Sequence, residues 1–330
     1  MFKFDVFQKN SLLFAPMEGV TDEPYRIAML KTFPEWDQFF SDFLRVPTVG
    51  KITEKMILEH YGPRIYANNS WRLKNSFQIL TTPRAQTRMV IDILESIKMH
   101  HLDLNLGCPS KKVNSHQGGA FLLSDHVALK NVIQTIRQNF TGHFTVKMRV
   151  GFRNDHNFIE TLKLLEGEGV EAITLHARTR EQLYKGVADW NYISKAVKEV
   201  QIPLIGNGDI WVVEDIENIF KQTKCHSVMF GRSALKTPWL AKLYKDYVTD
   251  GSHIDETFLL YERKKYLDQY FEALLFEYRE IGWADQLILK RFKSFSRNIF
   301  DDYEDFETIR GNFLRSESLQ EFQHHLAVLK

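Results

Sequence analysis

Cysteine is nearly absent from this chain: Cys108 and Cys225 are the only two in 330 residues. Two cysteines cannot build a disulfide framework, and neither stands in the repeated Cys or Cys/His spacing of a structural zinc site. A metal-free protein of the reducing cytoplasm is therefore expected. The adjacent pairs His100–His101 and His324–His325 do not share a helix face and supply no metal site. An excess of one charge is missing too. With 43 Lys and Arg against 42 Asp and Glu the net charge is +1, so contact with nucleic acid has to come from a local patch. No apolar run approaches membrane-spanning length, and Lys3, Asp5 and Lys9 interrupt the N-terminal apolar residues where a secretory signal needs an unbroken core. There is no low-complexity linker and no glycine fingerprint of a separate dinucleotide-binding domain.

What the chain does contain is a βα rhythm. It is 44% hydrophobic and 26% charged, the composition of a globular protein. Short β-rich runs alternate with longer amphipathic stretches, the pattern of a parallel sheet with crossover helices. The strands fall at Leu12 to Ala15, Gln38 to Phe43, Ser76 to Leu80, Leu102 to Asn105, Thr145 to Arg149, Ala172 to His176, Pro203 to Gly206 and Ser227 to Phe230. Eight such strands predict an α/β fold, a (β/α)8 TIM barrel. From about Asp255 the strand signals stop, and Phe258 to Arg279, Ala284 to Ile299 and Leu319 to Leu329 read as amphipathic helices. The expected organisation is a barrel domain over 1–245 and a smaller all-helical domain over 246–330, in a monomer.

In a barrel of this kind the active site gathers at the C-terminal ends of the strands. Polar residues stand there in this sequence: Met17 and Glu18 after the first strand, Gln78 in the third, Asn105 and Cys108 at the fourth, Lys147 and Arg149 on the fifth. His176 and Arg178 follow the sixth, Asn207, Gly208 and Asp209 the seventh, and Gly231 and Arg232 the eighth. Singly, Lys147 reads equally well as an inward lysine paired to a carboxylate, and His176 as a hydrogen-bonded core histidine. The loops after the last two strands often bind phosphate through backbone N–H groups, and both carry glycine here, at Gly206, Gly208 and Gly231. A cysteine is commonly a small buried hydrophobe, which suits Cys225 beside its apolar run. Cys108 instead sits in a Gly-Cys-Pro turn beside Lys111 and Lys112, the setting of a reactive thiol.

The segments Ala15-Pro16-Met17-Glu18-Gly19-Val20-Thr21-Asp22, Asp103-Leu104-Asn105-Leu106-Gly107-Cys108-Pro109-Ser110, Val146-Lys147-Met148-Arg149, His176-Ala177-Arg178-Thr179, Gly206-Asn207-Gly208-Asp209 and Gly231-Arg232 together resemble a tRNA-dihydrouridine synthase. The resemblance implies an FMN-dependent enzyme that uses NADPH or NADH to reduce a uridine of tRNA to 5,6-dihydrouridine. It places Pro16, Met17, Glu18, Gln78, Lys147, His176, Asn207, Gly208, Asp209, Gly231 and Arg232 around FMN and makes Cys108 the proton donor. The strand-four motif and Gly208-Asp209-Ile210-Trp211 lie nearest to the class acting at position 16 of the D-loop. One departure is the absence of a glycine soon after Gln78, where Ile79, Leu80, Thr81 and Thr82 follow.

The chemistry agrees with that resemblance. The C5=C6 bond of uracil is conjugated to a carbonyl, so hydride from flavin N5 adds at C6 while a proton reaches C5. A thiol with a pKa near 8.5 stays protonated at neutral pH and suits this donation. Asn105 either bonds the target base or holds the cysteine loop, and Arg149 either polarises a base carbonyl or pairs with phosphate. Lys147 stabilises an anionic reduced cofactor. A tRNA grip is expected from Lys290 and Arg297 beside Phe292 and Phe295, with Arg45 and Arg178 as further contacts. Two other readings stand: a flavin-dependent reductase or dehydrogenase of a free pyrimidine such as dihydroorotate or uracil, and a non-catalytic RNA-binding barrel.

Overall fold

The computed structural model describes residues 6–251 and 256–329, so Lys3, Asp5 and Asp255 lie outside the described residues. The chain divides into two compact units: Met1–Glu23 with Asp37–Gly231, and Pro24–Trp36 with Arg232–Lys330. The division therefore falls at Gly231 rather than near residue 245. It also assigns Pro24–Trp36 to the helical unit, a long-range association that local periodicity cannot show.

The first unit is built on nine parallel strands: β1 (Leu12–Phe14), β2 (Gln38–Phe40), β3 (Leu44–Arg45), β4 (Asn75–Leu80), β5 (His101–Leu106), β6 (His143–Arg149), β7 (Ala172–His176), β8 (Leu204–Asn207) and β9 (Ser227–Phe230). Sheet order runs β2-β1-β9-β8-β7-β6-β5-β4-β3, and β2 also pairs with β4, which closes a ring of eight. The eight expected strands are these eight, within a residue or two at each end except for the C-terminal end of the second. The second expected run, Gln38 to Phe43, is interrupted after Phe40. Ser41 explains the break: its N–H still donates to Ser76 O at 3.0 Å, but its hydroxyl, not its carbonyl, accepts Gln78 N–H at 3.1 Å. The backbone resumes pairing at Leu44↔Ile79.

Every residue of β4 and β5 is buried, as a parallel sheet covered on both faces requires. Alternation sends Leu102, Leu104 and Leu106 to the helix layer and His101, Asp103 and Asn105 into the barrel. The interior is thereby split in character. Leu13, Phe40, Ala172, Ile205 and Met229 form an apolar cluster closed by Phe7, while β4, β5 and β6 contribute hydrogen-bonding side chains to the rest. The crossover helices bury one stripe each. In His126–Arg137 it is Leu129, Val132, Ile133 and Ile136, and Asp125 caps the start by accepting Ala128 N–H at 3.0 Å, worth ~1 kcal/mol.

The second unit is helical, with Leu240–Asp250, Glu256–Glu280, Asp285–Ile299, Phe306–Arg315 and Leu319–Val328 as its longer elements. Phe306–Arg315 has no legible apolar stripe in the sequence, because it buries only Phe313 among its own residues. The core is aromatic: Phe271, Phe292 and Phe322 meet with ring centroids 5.1 to 5.3 Å apart, and Phe313 packs 4.8 Å from Phe322. Tyr25 lies 5.2 Å from Phe295, and the Trp36 indole donates to Pro238 O at 2.8 Å, which ties Pro24–Trp36 into this unit. Among the described residues no helix is long and apolar enough to cross a membrane.

Candidate active site

The strand ends of the first unit enclose a cavity of about 430 Å³ lined by Pro16, Met17, Glu18, Phe43, Asn105, Gly107, Cys108, Pro109, Ser110, Lys147, Arg149, His176 and Tyr184. Its size falls in the ~300–1,000 Å³ range of cofactor and small-molecule sites. Eight of the residues expected at the barrel mouth, from Pro16 to His176, converge on it. Tyr184 and Phe43 are additions that sequence reasoning missed. Tyr184 lies on the loop after β7, 53% exposed, with its ring 5.4 Å from the Arg149 guanidinium and 6.3 Å from the His176 ring.

The Cys108 loop is held by side chains. Asn105 Oδ1 accepts the N–H of Gly107 at 3.0 Å and of Cys108 at 2.9 Å. Arg149 Nε donates to Gly107 O at 3.0 Å, Asn114 Nδ2 to Cys108 O at 3.0 Å, and Arg180 Nε to Pro109 O at 3.2 Å. Each of these main-chain polar groups thus has a partner without a regular element to supply it. Gly119 packs against the loop so closely that a Cβ there would lie 3.2 Å from that of Cys108. Between the two roles left open for Asn105, the geometry shows the loop-holding one.

Cys108 is 8% exposed and packs with Leu80, Val113 and Phe43. Burial pushes its thiol above the usual range and Glu18 adds to this, while the Ser110 backbone hydrogen bond, Arg45 and Arg149 oppose it. The thiol is therefore protonated at neutral pH. Lys111 and Lys112, whose adjacency in the sequence gives Cys108 the setting of a reactive thiol, do not figure among these influences, and burial favours the protonated form.

Lys147 reaches Asn207 Oδ1 at 3.2 Å, and burial pulls its pKa down to about 8, helped by Arg149 and opposed by Asp103. Asn207 is anchored in turn by donating to Met229 O at 2.7 Å. Gly208 has φ +116°, and a Cβ there would stand 2.8 Å from His176 Cδ2, so the turn after β8 demands glycine. At Gly231, just past β9, a Cβ would meet nothing within 4 Å.

Several expected residues take other positions. Gln78 is fully buried and does not line the cavity; its amide is bonded to Asp103 and Asn105. Arg178, expected as an RNA contact, is 1% exposed: it donates to both oxygens of Asp209, at 3.1 and 2.6 Å, and to the carbonyls of Lys185 and Gly186. It cannot grip RNA from there, and it occupies the carboxylate of Asp209. Arg149 is likewise committed to the carbonyls of Gly107, Thr179 and Leu183. Arg45 is exposed on β3, and Lys290 and Arg297 are exposed on their helix. Phe292 and Phe295, expected to accompany them, are core residues of the helical unit, 1% and 3% exposed. Helical spacing alone cannot distinguish a basic-aromatic surface from a basic face over an aromatic core. Arg232 opens the helix Arg232–Lys236 and belongs to the second unit. Cys225 is buried against Gly206, the packing role expected of it. Among the described residues no cluster of His, Cys, Asp and Glu is disposed to hold a metal ion.

A protonated thiol, a lysine of lowered pKa and a histidine facing one cavity at the C-terminal mouth of a (β/α)8 barrel define an enzyme of the barrel class. The chain belongs to the dihydrouridine synthase (Dus) family, whose pattern matches residues 13–326. It is 31% identical over 272 residues to a tRNA-dihydrouridine(16) synthase of Neisseria meningitidis serogroup B, covering 81% of this chain and 80% of that protein. It is 29% identical over 249 residues to tRNA-dihydrouridine synthase B of Pasteurella multocida, covering 75% and 73%. Among solved structures, a 2-naphthoyl-CoA reductase in complex with 2-naphthoyl-CoA superposes with a TM-score of 0.54 at 11% identity, over 74% of this chain and 50% of that one; at that identity the likeness is one of fold.

Proposed function

We propose that this protein reduces a uridine in the D-loop of tRNA, at position 16, to 5,6-dihydrouridine, with FMN as cofactor, NADPH or NADH as reductant and Cys108 as the proton donor. The observation that carries the reading is the buried Cys108 thiol, its pKa pushed up by that burial, lining the same cavity as Lys147 and His176. Relatives named for position 16 support that target.

The residues present fit a flavin. The cavity is of suitable volume, Gly231 leaves open space where any other residue would place a side chain, and Lys147 puts a cation at the cavity wall. Pro16, Met17, Lys147, His176, Asn207, Gly208 and Gly231 would hold it, and the helical unit would carry tRNA contacts through Lys290 and Arg297. When bound, FMN would supply hydride chemistry, two electrons drawn from the nicotinamide and delivered with a hydrogen to C6 of the uracil. The chain's own residues do the rest. Lys147 places positive charge where negative charge develops in the reduced cofactor. The Cys108 thiol gives its proton to C5 and its burial disfavours the thiolate, so the proton is lost only when a base of sufficient basicity is presented. Asn105, Arg149 and Asn114 hold the loop so that the thiol faces the cavity throughout. Tyr184 offers an exposed ring at the rim for an extruded base to stack on.

The test is spectroscopic and kinetic. Purified protein should be yellow and release FMN on denaturation, and anaerobic NADPH oxidation beyond one equivalent per flavin should require unmodified tRNA. Oxidation driven by free uracil or orotate in its absence would instead make the protein a free-pyrimidine enzyme.

A further inference from the structure

Buried polar side chains across the barrel form one directed hydrogen-bond chain, and both of its arms end on a single carboxylate. On one side Gln38 Nε2 donates to Ser76 Oγ at 2.9 Å, Ser76 Oγ meets His101 Nδ1 at 2.7 Å, His101 Nε2 meets Thr145 Oγ1 at 2.9 Å, and Thr145 Oγ1 donates to Asp103 Oδ1 at 2.6 Å. On the other, Gln78 Nε2 donates to Asp103 Oδ2 at 2.6 Å, Asn105 Nδ2 to Gln78 Oε1 at 2.9 Å, and the Gly107 and Cys108 N–H groups to Asn105 Oδ1. Asp103, Gln78 and Ser76 are 0% exposed and Thr145 is 1% exposed.

The directions follow from what each group can donate. A backbone N–H only donates, so Asn105 must turn its oxygen to the loop and its amide nitrogen to Gln78. Gln78 then offers Asn105 its oxygen and must find an acceptor for its own nitrogen, which Asp103 provides. Thr145 has one hydroxyl proton and donates it to Asp103, so it accepts from His101, which is therefore the Nε2–H tautomer.

We infer that Asp103 is the positioning residue for Cys108: its carboxylate is the acceptor that fixes the polarity of the Gln78–Asn105 arm and, through it, the cysteine loop at the cavity. This rests on the reading of Cys108 as proton donor. Nothing in the loop itself supplies an acceptor for Gln78, and a donor at 103 facing Gln78 would turn its amide and set two donors against each other at Asn105. The groups facing the carboxylate are Thr145 and Lys147 from β6, Gln78 from β4 and His101 beyond Thr145. Burial raises its pKa to about 6 while Thr145, Gln78 and Lys147 hold it down, so it is ionised at neutral pH.

The test compares the flavin-loaded Asp103→Ala and Asp103→Asn variants by three readouts: the rate of Cys108 alkylation by iodoacetamide, turnover on unmodified tRNA, and the His101 tautomer from ¹⁵N shifts of labelled histidine. In Asp103→Ala the Gln78 nitrogen loses its acceptor. Alkylation should accelerate about tenfold and turnover fall about tenfold to a hundredfold, with tRNA affinity unchanged. In Asp103→Asn the new Oδ1 can still accept from Gln78 while its nitrogen donates to Thr145. Alkylation and turnover should stay close to the parent's, but Thr145 must then donate to His101, which changes to the Nδ1–H tautomer. Slow, parent-like alkylation in Asp103→Ala would overturn the proposal, as would a labile Cys108 with an unchanged His101 tautomer in Asp103→Asn. Should the alanine variant fail to fold, the asparagine variant decides alone by alkylation and tautomer. If Cys108→Ala keeps full turnover, the proton-donor reading fails, and alkylation and tautomer still judge the positioning role.

Discussion

Arg178 grips Asp209 end on, with Nη1 3.1 Å from Oδ1 and Nη2 2.6 Å from Oδ2, on a guanidinium that is 1% exposed. A bidentate pair at that depth ties the loop after β7 to the loop after β8, and Ala188 N–H donates to the same carboxylate at 2.8 Å. Breaking it from one side strands a buried charge. Arg178→Ala should therefore cost about 3–5 kcal/mol of stability, seen as a lower urea midpoint, and Asp209→Asn should lose a comparable amount, because it leaves the guanidinium buried without its counter-charge and turns an amide nitrogen toward donors. If Arg178→Ala left stability intact and weakened tRNA binding alone, the arginine would be an RNA contact after all.

The exposed cations of the helical unit should behave in the opposite way. Lys290 and Arg297 stand in Asp285–Ile299 on its solvent side, while Phe292 and Phe295 face the core. The double variant Lys290→Ala, Arg297→Ala is expected to keep its thermal midpoint, to bind tRNA more weakly, and to reduce the salt slope of binding by roughly 2, one for each phosphate left without its cation. Unchanged affinity at every salt concentration would give this face another role.

Gly231 tests the cofactor cradle without touching a charged group. Beyond its two chain neighbours a Cβ there meets nothing within 4 Å, so Gly231→Leu should fold with a midpoint close to the parent's. The added side chain would occupy space assigned to the flavin, and the variant should purify colourless or bind FMN at least about tenfold more weakly, a loss of ~1.4 kcal/mol. Full flavin content would place the cofactor elsewhere.

Two buried ionisable groups give the protein a readable pH dependence. Burial raises Asp103 from 3.8 to about 6, so between those values the folded state holds a proton that the unfolded chain has released. Stability contributed by this group therefore falls as pH rises through that window, by about 3 kcal/mol. Buried His100 and His101, whose pKa values are pulled below the usual imidazole range, act with the opposite sign over the same window, so in urea titrations between pH 4 and pH 7 Asp103→Asn should gain stability with rising pH more steeply than the parent. Lys147 is lowered from 10.5 to about 8, so its charge at the cavity is lost as pH rises through about 8. Flavin reduction by NADPH should fall along that alkaline limb, and Lys147→Arg, charged throughout, should abolish the limb.

Much of this architecture is legible in the residues. All eight strands of the ring are visible because each is a short apolar run set between amphipathic stretches, and the mouth residues follow from their places at strand ends. Other features are hidden from sequence. Ser41 breaks β2 with a side-chain hydrogen bond that no periodicity records. Arg178 looks like a free cation until its pairing with Asp209, across two loops, is seen. The electrostatics of Cys108 are misleading in sequence because Lys111 and Lys112 adjoin it there, whereas the charges that act on the thiol, Glu18, Arg45 and Arg149, come from other strands and loops.

Delivery of a proton by the buried Cys108 thiol during tRNA reduction is tested most directly by a dihydrouridine map of unmodified tRNA after incubation with FMN, NADPH and either the parent protein or Cys108→Ala. Reduction at position 16 by the parent and a sharp loss in the variant are expected, with flavin content and NADPH-driven flavin reduction preserved in both. Undiminished dihydrouridine from Cys108→Ala would contradict the assigned acid, and no dihydrouridine from a flavin-loaded parent would contradict the reaction itself.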